Sequence, residues 1–160
     1  MLRQFIKDVK VVPILSYTSG TADRVSSVID TLGFDAVAIV IHNAAVHDSA
    51  VADAFLQHAD AASDATTLTS GADVATSSQT IPGSGDNKLM ILELQDFTKR
   101  FLQLNINNDA TNATAQSAVA YLFRSRDTQP VTHATGSGTS GGSAAVLTPE
   151  FILHPVSGTK

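Results

Sequence analysis

An all-β fold, a jelly-roll-like or Ig-like β-sandwich with extended N- and C-terminal arms, is what this 160-residue sequence predicts. Apolar runs of strand length recur along the chain, several alternate at period two, and Gly-, Asn-, Asp- and Ser-rich stretches separate them. A chain of this length buries roughly 68–70% of the surface its unfolded form exposes, so one core is enough. It divides into an N-terminal arm or edge strand (1–15), a sandwich (16–130) and a Gly/Ser-rich linker with a C-terminal arm (131–160).

Val9 to Leu15 is apolar and β-branched, and Pro13, with no N–H to donate, restricts it to a sheet edge or an extended arm. Arg24 to Asp30 reads as a short strand ending before Gly33. Phe34 to His42 is apolar on both faces, as in a central strand. In Ala50 to His58, Val51, Asp53, Phe55 and Gln57 alternate with Ala52, Ala54, Leu56 and His58. The alanines also permit a helix, but the strand-like neighbours favour a strand. Residues 59–85 read as a long loop with one or two short strand segments.

The stretch from Lys88 to Asp127 carries three further runs. Leu102, Leu104 and Ile106 alternate with Phe101, Gln103 and Asn105, while Val119, Tyr121 and Phe123 alternate with Ala118, Ala120 and Leu122. The polar stretch 107–114 suits a turn, which predicts two antiparallel strands joined by a flexible loop. Beyond Pro130 a Gly/Ser-rich tract precedes the apolar segment Ala145 to Pro155. That segment is either a linker-borne extended piece that reaches a neighbour or the last strand of the same sheet.

Charged residues make up 16% of the chain, against about 25% in ordinary domains, and so sparse a charge suits packing against other protein. Net charge is −5 and the ten Lys and Arg are scattered, which argues against direct nucleic-acid binding. There is no cysteine. Asp8, Lys10 and Pro13 interrupt the N-terminal apolar run, so it does not read as an export signal. No run approaches the roughly 20 apolar residues of a membrane span, so a soluble protein is expected.

Reactive constellations are weak. His42, His47, Asp48, His58 and Asp60 lack the three or four well-spaced ligands of a zinc site, and Asp60, Asp64 and Asp73 lack the oxygen spacing of a calcium loop. No serine stands in a nucleophile elbow, and the glycines from 136 to 142 lack the Lys and helix of a phosphate loop. Glu93, Asp96 and Glu150 read as surface carboxylates, and Asn112-Ala-Thr114 as turn chemistry. Neither catalysis, cofactor nor metal is expected. Lys99, Arg100, Arg124 and Arg126 end two strands. They are either solvated strand ends or an inter-subunit salt-bridge patch facing acidic residues such as Asp48, Asp53 or Asp60. The interface candidates are Phe5, Val11, Val12, Ile14, Lys99, Arg100, Arg124, Arg126, Phe151, Ile152 and Leu153.

Phe55-Leu-Gln-His-Ala-Asp60, Lys88 to Leu104 and Ala118 to Phe123 resemble a group of small tailed-bacteriophage virion structural proteins. The strongest element is Asp96-Phe-Thr-Lys-Arg-Phe-Leu-Gln-Leu104. The resemblance implies a head decoration, or cement, protein that binds the outer capsid surface and bridges capsid subunits. It implies the major capsid protein as partner, a homotrimer, and a place on the capsid exterior after assembly in the bacterial host cytoplasm. Alternatives are another phage structural role, in the tail, neck or head completion, or a carbohydrate- or surface-binding module. Two Tyr and no Trp supply a glycan platform poorly.

Overall fold

The computed structural model describes residues 8–46, 51–108 and 111–125. Their elements are β1 (Lys10–Gly20), β2 (Arg24–Val25), β3 (Ile29–Asp30), β4 (Phe34–Val46), β5 (Val51–Ala59), β6 (Ala61–Ala62), β7 (Leu68–Thr69), β8 (Ala72–Asp73), β9 (Gln79–Pro82), β10 (Lys88–Gln95), β11 (Phe101–Asn107) and β12 (Thr114–Ser125). Ten of them build two antiparallel sheets packed face to face, a β-sandwich, and β6 and β7 pair separately as a two-stranded sheet. One has the order β1-β12-β4-β10. In the other, β11 and β5 pair centrally, with β2 and β3 along the free side of β11 and β8 and β9 along that of β5.

Period-two alternation supplies the core. Val37, Ile39, Ile41, Leu92, Ala118, Ala120 and Leu122 of the first sheet meet Ala52, Ala54, Leu56, Leu102, Leu104 and Ile106 of the second, all buried. Ile29 and Ile81 close the ends of this layer. The segment read as strand or helix is strand β5. It turns its small face inward, so Ala52, Ala54 and Leu56 are buried while Asp53, Phe55 and Gln57 are half-buried.

Three expectations need correction. β11 and β12 do not form a hairpin: β11 pairs with β5, β2 and β3, and β12 with β1 and β4. The polar turn between them crosses from sheet to sheet. Its residues are used to anchor that crossing: Asn108 accepts at its side chain from Thr114 Oγ1 (2.8 Å), donates from Nδ2 to Ala22 O (2.8 Å), and donates its backbone N–H to Asp23 Oδ1 (2.9 Å). Arg24 to Asp30 is not one strand but two short ones, because Ser26 N–H bonds Leu104 O, Ser27 N–H bonds Ile14 O and Val28 N–H bonds Ala65 O. Three successive residues with partners on three different segments cannot hold one ladder. The region 59–85 contains four short strands, β6 to β9, rather than one or two.

Thr31 O accepts from Phe34 N–H (3.0 Å), and Gly33 within that turn has φ 87°. A turn that needs a left-handed third residue accounts for the glycine before β4. The β6–β7 hairpin lies against the outer side of the second sheet. Gln103, on that side yet buried, donates from Nε2 to Ser26 O (2.8 Å) and Thr66 O (2.7 Å). Gln103→Ala strands both carbonyls and is expected to cost about 2–3 kcal/mol, measured by urea unfolding. Inside the sandwich, buried Gln116 faces Asn43 across the β12–β4 ladder, and neither side-chain atom of its amide has a hydrogen-bond partner. Gln116→Met is therefore expected to stabilise the fold by about 1–2 kcal/mol, read in the same assay.

Candidate assembly interface

Register assigns the outer face of the first sheet row by row, since residues directly opposite each other share a face. One row runs Pro13, Val119, Val40, Ile91 across β1, β12, β4 and β10. The next runs Val11, Tyr121, Ala38, Glu93, the third Phe123, Ala36, Gln95, and on the other side lie Ser117, His42 and Leu89. Leu89 and Ile91 are 63% and 61% exposed, and Val40, Val119, Tyr121 and Phe123 are half-buried. The larger face of β12, with Val119, Tyr121 and Phe123, thus points away from the core, and the smaller face of Ala118, Ala120 and Leu122 points into it. Strand and residue spacings give this surface an area on the order of 500 Å².

Its ionisable groups are Glu93, which accepts from Gln95 Nε2 (2.6 Å), His42, Tyr121 and, at the rim, Arg124, which donates to Gln95. The outer side of the second sheet contrasts with it. There Gln57 bonds Asp73 (2.9 Å), Thr80 bonds Asp53 (2.9 Å) and Asn105 bonds Gln57 (3.2 Å), a polar surface whose groups satisfy one another. That side also carries Val25, Phe55 and Val51, but Asn105 separates Val25 from Phe55, whereas among the described residues the first sheet has an apolar row running unbroken across four strands.

The two flanks of the sandwich also differ. On the β1 side, Arg24 of β2 reaches across to β1 and β12, donating to Ser16 O (2.5 Å), Thr18 O (3.3 Å) and Gln116 O (2.5 Å), and Ser27 N–H bonds Ile14 O (2.9 Å). Partial burial lowers the Arg24 pKa from its ordinary value. On the β10 side, a groove of about 300 Å³ remains between β10 and residues 74–79.

The interface candidates fall into several environments. Val11 lies on the outer face, and Val12 packs half-buried against the core. Ile14 is a core residue at 3% exposure, not an interface residue, because alternation along β1 puts Val11 and Pro13 on the outer face and Val12 and Ile14 on the inner one. Lys99 and Arg100 do not join Arg124 in one patch across a sheet: they precede β11 in the second sheet, whereas Arg124 ends β12 in the first. Each has its own acceptor within the chain. Lys99 pairs with Asp60, and Arg100 bonds Asp30 through Nε (2.9 Å) and Nη2 (2.7 Å) while stacking on Phe101, 4.8 Å from the ring centre. Arg124, at φ 57°, donates to Gln95 Oε1 (3.2 Å). Phe5, Arg126, Phe151, Ile152 and Leu153 lie outside the described residues, as do His47 and Asp48 of the metal reading. His42 and His58 stand in different sheets, and among the described residues no group of three or more His, Asp or Glu is placed to hold a metal ion.

The Arg100 hydrogen bond holds the Asp30 carboxyl below the usual carboxylate range, and Asp30 in turn raises the Arg100 pKa. A depressed folded-state carboxylate contributes stability that is present above the unfolded value of about 4 and is lost as pH falls through the folded value. Both groups are roughly half exposed, so solvent screening keeps the contribution small. Asp30→Asn is expected to flatten the fall in stability below about pH 4 without altering its trend above pH 6, measured by urea titration at each pH.

No family model and no curated protein matches the chain. The chain is similar to a solved structure of the infectious bursal disease virus Gt strain, with 12% identity and a TM-score of 0.40, over 73% of this chain and 32% of that one. A structure of the Gx strain of the same virus gives a TM-score of 0.31 at 12% identity, again over 73% and 32%. The chain spans about a third of the length of those viral chains.

Proposed function

We propose that this protein is a virion structural protein, a head decoration protein that lies on the outer capsid surface, bridges capsid subunits and has no catalytic role. The observation that carries the reading is the outer face of the β1-β12-β4-β10 sheet, apolar from Pro13 to Ile91 and nearly free of charge. The resemblance of Asp96 to Leu104 to phage virion proteins points the same way. An apolar surface of about 500 Å² is well below the roughly 800 Å² per partner of a standard stable interface. Contacts of that size hold firmly when repeated, and a homotrimer seated over a seam between capsid subunits repeats them three times. The Lys99–Asp60 and Arg100–Asp30 pairs fix the corner that begins β11, so the charges there stiffen the body rather than reach a partner.

The test uses particles of the parent virus assembled without this protein. Adding the purified chain is expected to saturate them at a fixed ratio and raise the temperature at which they disrupt. No binding, or binding without stabilisation, contradicts the reading. Light scattering of the free protein is expected to give about three chain masses.

A further inference from the structure

We propose that the groove beside β10 takes residues Glu150–His154 of the same chain as an added strand, extending the first sheet to five strands. Among the described residues β10 pairs with β4 alone, so its other backbone edge faces the groove. Met90, Leu92 and Leu94 from β10, with Leu56 and Val74, supply the apolar part of the groove's lining, and Thr76, Ser77 and Gln79 supply a polar part. A strand added here would also continue the outer face beside Leu89 and Ile91, which are the most exposed of its apolar residues. The site therefore asks for a segment that is apolar on both of its faces, held by main-chain hydrogen bonds to an edge strand.

The groove follows β10 over five consecutive residues, Met90 to Leu94. Glu150-Phe-Ile-Leu-His154 is also five residues long, and it is bounded by Pro149 and Pro155. Proline cannot donate into a ladder, so the two prolines confine pairing to that length. Three successive apolar residues place Phe151 and Leu153 on one face and Ile152 on the other. Reach is sufficient as well. β12, which ends at Ser125, stands two strands from β10, about 10 Å away, and residues 126–149 of Gly- and Ser-rich composition span roughly 25 Å as a coil.

The native chain has no cysteine, so an introduced pair reports a single contact. In the full chain, Ile152→Cys is combined with Leu89→Cys, Ile91→Cys or Glu93→Cys in turn, and with Val119→Cys, two strands away, as control. Under mild oxidation at least one β10 pair is expected to close within a single chain at least tenfold faster than the control. Closure of all four pairs at one rate, or bridges formed only between copies, overturns the assignment. A second measurement, amide exchange, is made on the full-length Phe151→Asp, Leu153→Asp double variant. The β10 amides that point away from β4 are expected to exchange at least tenfold faster than in the native chain, with β11 unchanged; equal rates on β10 overturn it. Neither measurement involves a capsid, so a failure here is separable from a failure of the decoration reading.

Discussion

Replacing Ile91 and Val119 together with Asp is expected to abolish binding to decoration-free particles, while the unfolding midpoint of the isolated protein changes little. Both residues sit in the row Pro13, Val119, Val40, Ile91, and Ile91 is 61% exposed. In the free protein a carboxylate at Ile91, 61% exposed, is hydrated, and one at the half-buried Val119 still reaches solvent on the outer face. Against a partner surface it must be desolvated with no cation facing it, which costs several kcal/mol per charge and exceeds what a contact of about 500 Å² supplies. Co-sedimentation with particles and urea unfolding of the free chain give the two readouts. Undiminished binding would mean that another surface carries the attachment. A large loss of stability would mean that the face belongs to the fold itself.

Leu104→Ala is expected to destabilise the protein by about 3–4 kcal/mol, the largest effect of any single substitution considered. Leu104 is fully buried on β11, opposite Leu56 in the ladder and within the layer where Ile39, Ile41 and Ala120 of the other sheet meet it. Its neighbours belong to ladders fixed along both strands, so collapse around the missing atoms is limited and the cavity persists. The control is Leu89→Ala, at 63% exposure, expected to change stability by less than about 0.5 kcal/mol. Denaturant unfolding monitored by circular dichroism measures both.

The strands themselves were legible because alternation is a local property: Leu102, Leu104 and Ile106 read as one face and are buried together. Pairing was not legible. The connections among the longer strands cross between sheets, so the polar stretch after β11, which has every local mark of a hairpin turn, joins strands that share no ladder. What decides this is long-range, the bonds from Asn108 to Ala22 and Asp23 across the end of the sandwich. Ile14 misled for a different reason: Pro13 correctly marks an edge strand, but alternation along it puts Val12 and Ile14 on the inner face, opposite to Val11 and Pro13. The charged corner was found, and Asp60 was named for it, but across subunits rather than 39 residues away in the same chain; Asp30, 70 residues away, was not named.

The candidate interface was half legible. Phe34 to His42 reads as apolar on both faces, and the structure buries only Val37, Ile39 and Ile41 fully between the sheets while Val40 lines the other side. An apolar second face on β4, repeated on β12 and β10, is the sequence signal for a surface meant to be covered. It was absorbed into the reading of a central strand because period two says which residues share a face, not what lies against it. Arg24 carried no signal at all, since its three acceptors are backbone carbonyls, and those are invisible in side-chain identity.

The most direct test of the assembly reading is a cryo-electron microscopy map of the parent virion at a resolution that traces strands. The account predicts this chain on the outside of the capsid, with Val40, Ile91 and Val119 facing capsid protein or a neighbouring copy. A particle without the chain, or one in which that face is open to solvent while the polar face of the β11–β5 sheet makes the contact, would contradict it.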